Sequence, residues 1–339
     1  MKKSNLVRIF AALGMLILIL DSKTAIGGAI EAITLCIRSV IPSLFPFIVL
    51  SNLMTSGLNC TSTALLRFLG KLLGIPSGAE GLFLAGILGG YPTGAQNVFQ
   101  AWSHGQLSTA DAQRMLGFCN NAGPAFLFGM LAPFFSSVKW LWILWGIHIL
   151  SAIIAAILLP GKSAESLRKI SGEKPSITAS LKRAVSTMGY VCGWVVLFRI
   201  LFSFLNRWIL WIFPIEGQVS IYGLLELAGG CCSLDLVADE ALRFVICSSM
   251  LAWGGLCVIM QTKSVTGSLG LGQYLPGKGL QTLSSIWLSL CVVTWGSSKF
   301  LLFLLVPPAV IGIRFLLYKK TVAFRPKVVY NLGRIDTKG

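Results

Sequence analysis

Long apolar stretches, interrupted by short polar or glycine-rich segments, run through most of the 339 residues. Several reach the ~20 residues that a helix needs to cross ~30 Å of hydrocarbon, and the period-two alternation of a membrane strand is absent. Helices must then satisfy the backbone, and the expected fold is all-α, a polytopic transmembrane helical protein. Spans are expected at 6–20, 40–57, 115–135, 140–159, 184–205 and 242–260, with an amphipathic segment between the first two. Residues 61–76 read either as an interfacial helix, with Arg67 and Lys71 beside the headgroups, or as a plain connector. The stretch 283–318 is too long for one crossing and predicts two, turning near Gly296-Ser297-Ser298-Lys299.

Two segments do not read as simple spans. Residues 81–102 are hydrophobic to Leu88, break at Gly89-Gly90-Tyr91-Pro92-Thr93-Gly94, and resume as a mixed half. That pattern predicts a re-entrant hairpin, the other reading being an ordinary span broken by glycine. A second candidate hairpin covers 221–236.

The halves can be aligned. Leu88-Gly89-Gly90 with Thr93 matches Ala228-Gly229-Gly230 with Ser233 at one constant offset. Ala110-Asp111 and Cys119-Asn120-Asn121 match Ala238-Asp239 and Cys247-Ser248-Ser249, the connection in the second half being shorter. With the span before each hairpin running in opposite directions, the expectation is two inverted repeats, each holding a broken hairpin. Chance likeness between apolar segments is the competing explanation.

Composition agrees with the pattern: 55% of residues are hydrophobic and 12% charged, with a mean hydropathy of +0.79, a balance foreign to soluble domains. The net charge of +16 comes from 28 Lys and Arg gathered at segment ends, not in one basic domain, so it speaks for membrane orientation and against nucleic acid. The clusters at Lys2, Lys3 and Arg8, at Arg67 and Lys71, from Lys162 to Arg183 and from Arg314 to Lys327 are assigned to the cytoplasm, which puts both termini inside. The first apolar run lacks a signal-peptide cleavage pattern at Asp21-Ser22-Lys23 and is read as a retained helix. Neither the nine cysteines nor His104 and His148 form a metal-ligand pattern, and no cofactor is expected. The phosphate-binding pattern G-x-x-x-x-G-K-[ST] is missing, as are H-E-x-x-H and G-x-S-x-G, so neither an ATP-driven pump nor an enzyme is expected.

Paired broken hairpins have a physical use. Their tips meet near the midplane, where half-helix N-termini offer free N–H groups and positive dipole ends to an anion. Gly90, Tyr91, Thr93, Asn120 and Asn121 from one half, with Ser233, Ser248 and Ser249 from the other, are the candidate substrate contacts. Glu226, an acid in the apolar Tyr222-Gly-Leu-Leu-Glu226-Leu-Ala-Gly-Gly230, costs at least ~2.5 kcal/mol at membrane depth unless paired, hydrated or protonated. It is the candidate for proton coupling or a polar substrate contact. Arg199, in Val195-Val-Leu-Phe-Arg199-Ile-Leu-Phe, is a candidate partner for Glu226 or for a substrate carboxylate. For both residues, structural pairing or snorkelling is the alternative.

Gly89-Gly-Tyr-Pro-Thr-Gly-Ala95, Leu107-Ser-Thr-Ala-Asp-Ala-Gln-Arg114 and Phe118-Cys-Asn-Asn-Ala-Gly-Pro124 resemble the nucleoside-recognition or Gate-domain membrane family, in particular its sporulation integral membrane protein branch. Gly223-Leu-Leu-Glu226-Leu-Ala-Gly229 fits the second Gate motif more loosely, and the resemblance spans most of 40–265. The second half has Ala228 and Cys231-Cys232 where the family more often carries polar tip residues. The resemblance implies transport of dipicolinic acid toward the forespore, from the bacterial cell membrane or the outer forespore membrane. Other Gate-containing proteins are linked to nucleosides, divalent ions or spore maturation, so the substrate stays open.

The expected organisation is an N-terminal span and interfacial segment (1–38), a first Gate-like repeat (39–159), a basic cytoplasmic loop (160–183), a second repeat (184–265), C-terminal spans (266–318) and a basic tail (319–339). Expected partners are a small organic anion, the bilayer, and a homo-oligomer or sporulation membrane partner. A non-transporting spore membrane assembly factor is the expectation from a different class.

Overall fold

The computed structural model describes residues 3–55, 63–161, 163, 166–167, 176–297 and 299–300, and these are helical, with no strand beyond an isolated bridge between Ser77 and Ser166. Among the described residues, four stretches are long and apolar enough to cross a membrane: Ser22–Thr55, Val138–Leu158, Ile177–Trp208 and Glu240–Leu269. The chain divides into a unit of residues 1–289 and a unit of residues 290–339. Everything that follows up to Ser289 belongs to the first.

After α1 (Lys3–Leu20), Asp21 caps α2 (Ser22–Leu35) by accepting the Thr24 N–H at 3.3 Å. The helix then continues through a π turn, Cys36–Val40, into α3 (Ile41–Thr55). Pro42 has no N–H to give the Arg38 carbonyl, and its ring crowds that oxygen; widening the turn lets the helix continue instead of ending. The separate amphipathic segment and the span at 40–57 are therefore one helix of 34 residues. It runs antiparallel to α10 (Ile177–Trp208), because partners appear in reverse order: Asp21 with Arg207, Gly28 against Ser203, Glu31 with Arg199, and Asn52 with Ser180.

Between these two helices in sequence lie α4 (Ala64–Leu73), α5 (Glu80–Gly89), α6 (Thr93–Ser103), α7 (Thr109–Cys119), α8 (Pro124–Met130) and α9 (Val138–Leu158). Ser108 and Asp111 form a reciprocal cap on α7: the Asp111 N–H donates to the Ser108 hydroxyl, which donates to the Asp111 carboxylate at 2.7 Å. Buried Arg114 on α7 donates to the carbonyls of Leu73, Gly74, Ala156 and Pro160, tying the C-terminal ends of α4 and α9 together with a cation suited to their dipoles. The single span expected at 115–135 is instead α7 and α8, separated by an extended Asn120 and by Gly123 before Pro124.

The second half continues with α11 (Ile215–Leu225), α12 (Leu227–Cys232), α13 (Glu240–Trp253), α14 (Gly255–Thr266) and α15 (Tyr274–Val293). The stretch at 242–260 is interrupted at Gly254 and Gly255, whose φ angles are +81° and +83°. Gly223 and Gly230 bring the backbones of α11 and α12 so close that a Cβ on Gly230 would overlap Gly223. Helix α15 begins nine residues before the expected 283, and the turn after it includes Gly296 at φ +80°. The crossing expected to return through 301–318 lies outside the described residues, as does the tail.

The main apolar cluster joins Leu82, Phe83 and Ile87 of α5, Val98 of α6, Met115, Leu116 and Phe118 of α7 and Ala152 of α9, all buried. Leucine and isoleucine side chains instead cover the outside: Ile26, Ile30, Ile33 and Ile37 of the long helix are all largely exposed. An apolar exterior of this kind suits lipid better than water.

Candidate functional site

Four helix interruptions meet inside the first unit, and each has a local cause. Between α5 and α6, Gly90 takes φ +78° and Pro92 supplies no N–H. Between α7 and α8, Asn120 is extended and Pro124 opens the next helix. Between α11 and α12, Glu226 is extended (φ −144°, ψ 118°). Between α13 and α14 stand the two left-handed glycines.

The interruptions are in contact. Gly90 lies against Gly123, with a Cβ on Gly123 only 3.0 Å from the Gly90 Cα. Gly255 lies against Leu225, beside Glu226. Tyr91 bridges the pairs: its hydroxyl donates to the Leu251 carbonyl at 3.0 Å, and its ring lies beside Gly254. Tyr91, Ala122, Gly123, Glu226, Leu227 and Gln261 line one cavity of about 40 Å³, which also touches Val40 and Val195. A space of this size admits water and no organic anion.

Helix α15 supplies the most unusual wall. Its buried face carries Tyr274, Lys278, Gln281, Ser285 and Ser289, while Leu275 and Leu283 on other faces are exposed. Lys278 is fully buried, and its ammonium donates to the Tyr91 hydroxyl at 2.8 Å and to Gln281 Oε1 at 2.7 Å. It also lies over the rings of Tyr91 and Tyr274, 4.8 and 5.9 Å from their centroids. Its described partners are neutral, and neither described ion pair, Arg199–Glu31 or Arg207–Asp21, includes it. Gln281 extends the network by donating to Asn121 Oδ1 at 2.9 Å and to the His148 carbonyl at 3.3 Å. His148 Nε2 accepts the Ala122 N–H at 2.9 Å.

Tyr91, Asn120, Asn121 and Glu226 are thus gathered around this centre, but their polar atoms are already engaged. Asn120 accepts the Ala95 N–H on α6 at 3.3 Å and donates to Thr262 at 2.9 Å. Asn121 also donates to the Phe118 carbonyl at 2.7 Å. Glu226 caps α12 with its own carboxylate, accepting the N–H groups of Ala228 at 2.8 Å and Gly229 at 2.5 Å. The dipole end expected to hold a substrate anion in the second half is therefore occupied by a resident one. Thr93, fully buried at the start of α6, is the exception: its hydroxyl has no hydrogen-bond partner.

The three candidate serines do not stand at the interruptions. Ser233 ends α12 and donates back to the Gly229 carbonyl, while Ser248 and Ser249 lie within α13, not at its break. Ser248 shares a 2.7 Å hydroxyl contact with Ser285, and Ser249 donates to the Ile246 carbonyl. Residue identity had matched these serines to Thr93, Asn120 and Asn121, whereas the second-half interruptions fall at Glu226 and Gly254, several residues before and after the matched positions. Arg199 makes its ion pair with Glu31, at 3.3 Å, and not with Glu226.

Lys278, Gln281, Tyr274, His148 and Gln261 were missed as candidates. The signal was in the sequence: Tyr274, Lys278, Gln281, Ser285 and Ser289 recur every three or four residues, the period of one helical face. A helix whose periodic face is polar, in an otherwise apolar chain, marks the side turned toward a polar interior.

The architecture and site define an all-helical protein of membrane-protein composition with interrupted helices converging on a buried lysine. No protein-family model, curated protein or solved structure matches this chain.

Proposed function

We propose that the chain is a polytopic membrane transporter of a small organic anion. In this reading the substrate crosses where the four helix interruptions meet. The observation that carries it is Lys278, an amine buried beside two of the interruptions whose described partners are neutral. Holding an uncompensated charge at membrane depth costs at least ~2.5 kcal/mol, a penalty that a substrate carboxylate bound next to it would offset. Tyr91, Gln281 and Asn121 would orient that carboxylate, and unpaired Thr93 has a hydroxyl to offer when the centre opens.

The two halves act as inverted repeats, each contributing a broken hairpin, and the small central cavity is the closed stage of an alternating-access cycle. The long helices cross the bilayer with both termini cytoplasmic. The resemblance to the sporulation branch of the Gate-domain family makes dipicolinate, an aromatic dicarboxylate, the substrate to try first, in the cell membrane or outer forespore membrane of a sporulating bacterium. Energy then comes from a gradient, a partner, or consumption of the substrate on the far side.

The test is uptake of labelled dipicolinate into proteoliposomes, with a nucleoside as control. Saturable, dipicolinate-selective flux that Lys278→Gln and Asn121→Ala reduce supports the reading. Selective nucleoside flux redirects it to a neutral substrate. Absence of either flux from folded, inserted protein overturns it in favour of a non-transporting assembly factor.

A further inference from the structure

A second cavity, of about 260 Å³, lies between α2, α10 and α11 and is lined by Thr24, Glu31, Arg199, Ser203, Asn206 and Tyr222 among others. Its position relative to the centre follows from helix geometry. Arg199 stands one turn from Val195 on α10, and Tyr222 one turn before Glu226, while Val195 and Glu226 both line the central cavity. Along the long helix, Glu31 is about 15 Å from the Asp21 cap, and Val40, at the central cavity, about 28 Å. The larger cavity therefore sits between one end of the bundle, marked by the Asp21–Arg207 ion pair, and the middle.

Arg199 lines the larger cavity. Its Nε lies 3.3 Å from Glu31 Oε2 but makes no hydrogen bond, so the pair is loosely aligned. Its Nη1 and the Glu226 carboxylate both lie over Gly229, where a Cβ would collide with either. One guanidinium thus stands between two carboxylates, Glu31 in the larger cavity and Glu226 at the smaller. Glu31 is mostly exposed, with 63% of its side chain accessible against 20% for Arg199. A carboxylate so exposed on the wall of a cavity holds its partner weakly and is readily exchanged for another.

We propose that this cavity is an access vestibule with a binding site for a small carboxylate anion. Arg199 is its cation, and Glu31 is a resident counter-ion that the incoming carboxylate displaces. The neutral donors around Arg199 (Thr24, Asn206 and the Tyr222 hydroxyl) suit a ligand rich in acceptors. The inference rests on the transport reading for its purpose, but the site can be tested on its own.

The experiment measures binding of pyridine-2,6-dicarboxylate to the purified full-length protein by calorimetry, and its uptake into phosphatidylcholine proteoliposomes. Arg199→Gln should weaken binding and raise the uptake KM at least tenfold, with little change in maximal rate. Glu31→Gln should lower both constants about threefold, since the competitor is gone, and the double variant should resemble Arg199→Gln. Lys278→Gln should stop flux while leaving Arg199-dependent binding in place. If both single variants lose stability and the double recovers it with KM unmoved, the pair is structural and the vestibule is overturned. Wild-type flux with no dependence on Arg199 overturns it too. Arg199-dependent binding without any flux keeps the vestibule and sinks the transport reading. An effect of Glu31→Gln that appears only in phosphatidylglycerol vesicles assigns the site to a lipid headgroup and overturns the proposal.

Discussion

The interruptions of the first half and those of the second do the same geometric task with different chemistry. In the first, amides do the work: Asn120 holds the start of α6, Asn121 holds Gln281, and Pro92 and Pro124 remove donors that a helix interior would need to satisfy. In the second, a carboxylate caps α12, and two glycines in left-handed geometry open α14. The first half therefore presents neutral groups and the second a carboxyl group, while an amine comes from α15, outside both. The polar make-up of the centre is a property of three elements brought together, not of either half.

Exchanging a residue that only one side relies on separates the two halves most sharply. Lys278→Ala should have the largest effect: it removes the cation and leaves Gln281 Oε1 without its donor, so flux should fall at least a hundredfold in the uptake assay. Gly94→Val comes next. A Cβ there would overlap the Cys119 carbonyl, which has no room to withdraw, and destabilisation of about 3 kcal/mol is expected as a lowered Tm in detergent. Glu226→Ala removes a helix cap in the second half and should cost about 1 kcal/mol by the same measurement, whereas Glu226→Gln, which keeps one acceptor, should cost less. Ser249→Ala should change stability by no more than about 0.5 kcal/mol and leave flux intact, because its hydroxyl bonds only within its own helix. A large flux defect in Ser249→Ala would restore the register in which that serine is a substrate contact.

Much of this was legible before any coordinates. The helical class, the break at Gly90-Tyr91-Pro92, the apolar helix α9 and the presence of polar Asn120, Asn121 and Glu226 inside apolar stretches all rest on local signals: apolar length, glycine and proline, and polar residues where hydrophobic ones are expected. The break at Gly254-Gly255 was overlooked because two glycines inside an apolar run are also compatible with close helix packing, and only their φ angles distinguish the cases. The ion pair of Arg199 with Glu31 was not legible, for another reason. Glu31 is 168 positions away in the chain, and antiparallel packing of α2 on α10 decides which acid it meets.

By itself, the amino-acid sequence determined that this chain forms helices with an apolar exterior, and where several of them must break. Those outcomes depend on side-chain size, the missing proline N–H and hydrophobic length, all properties of neighbouring residues. Only the tertiary structure decided that the breaks at Tyr91, Asn120, Glu226 and Gly254 share one centre, that Glu226 is occupied by its own helix, and that Lys278 is buried against Tyr91. Each is a contact between residues far apart in the chain, and whether a buried charge finds a partner depends on which helices pack side by side.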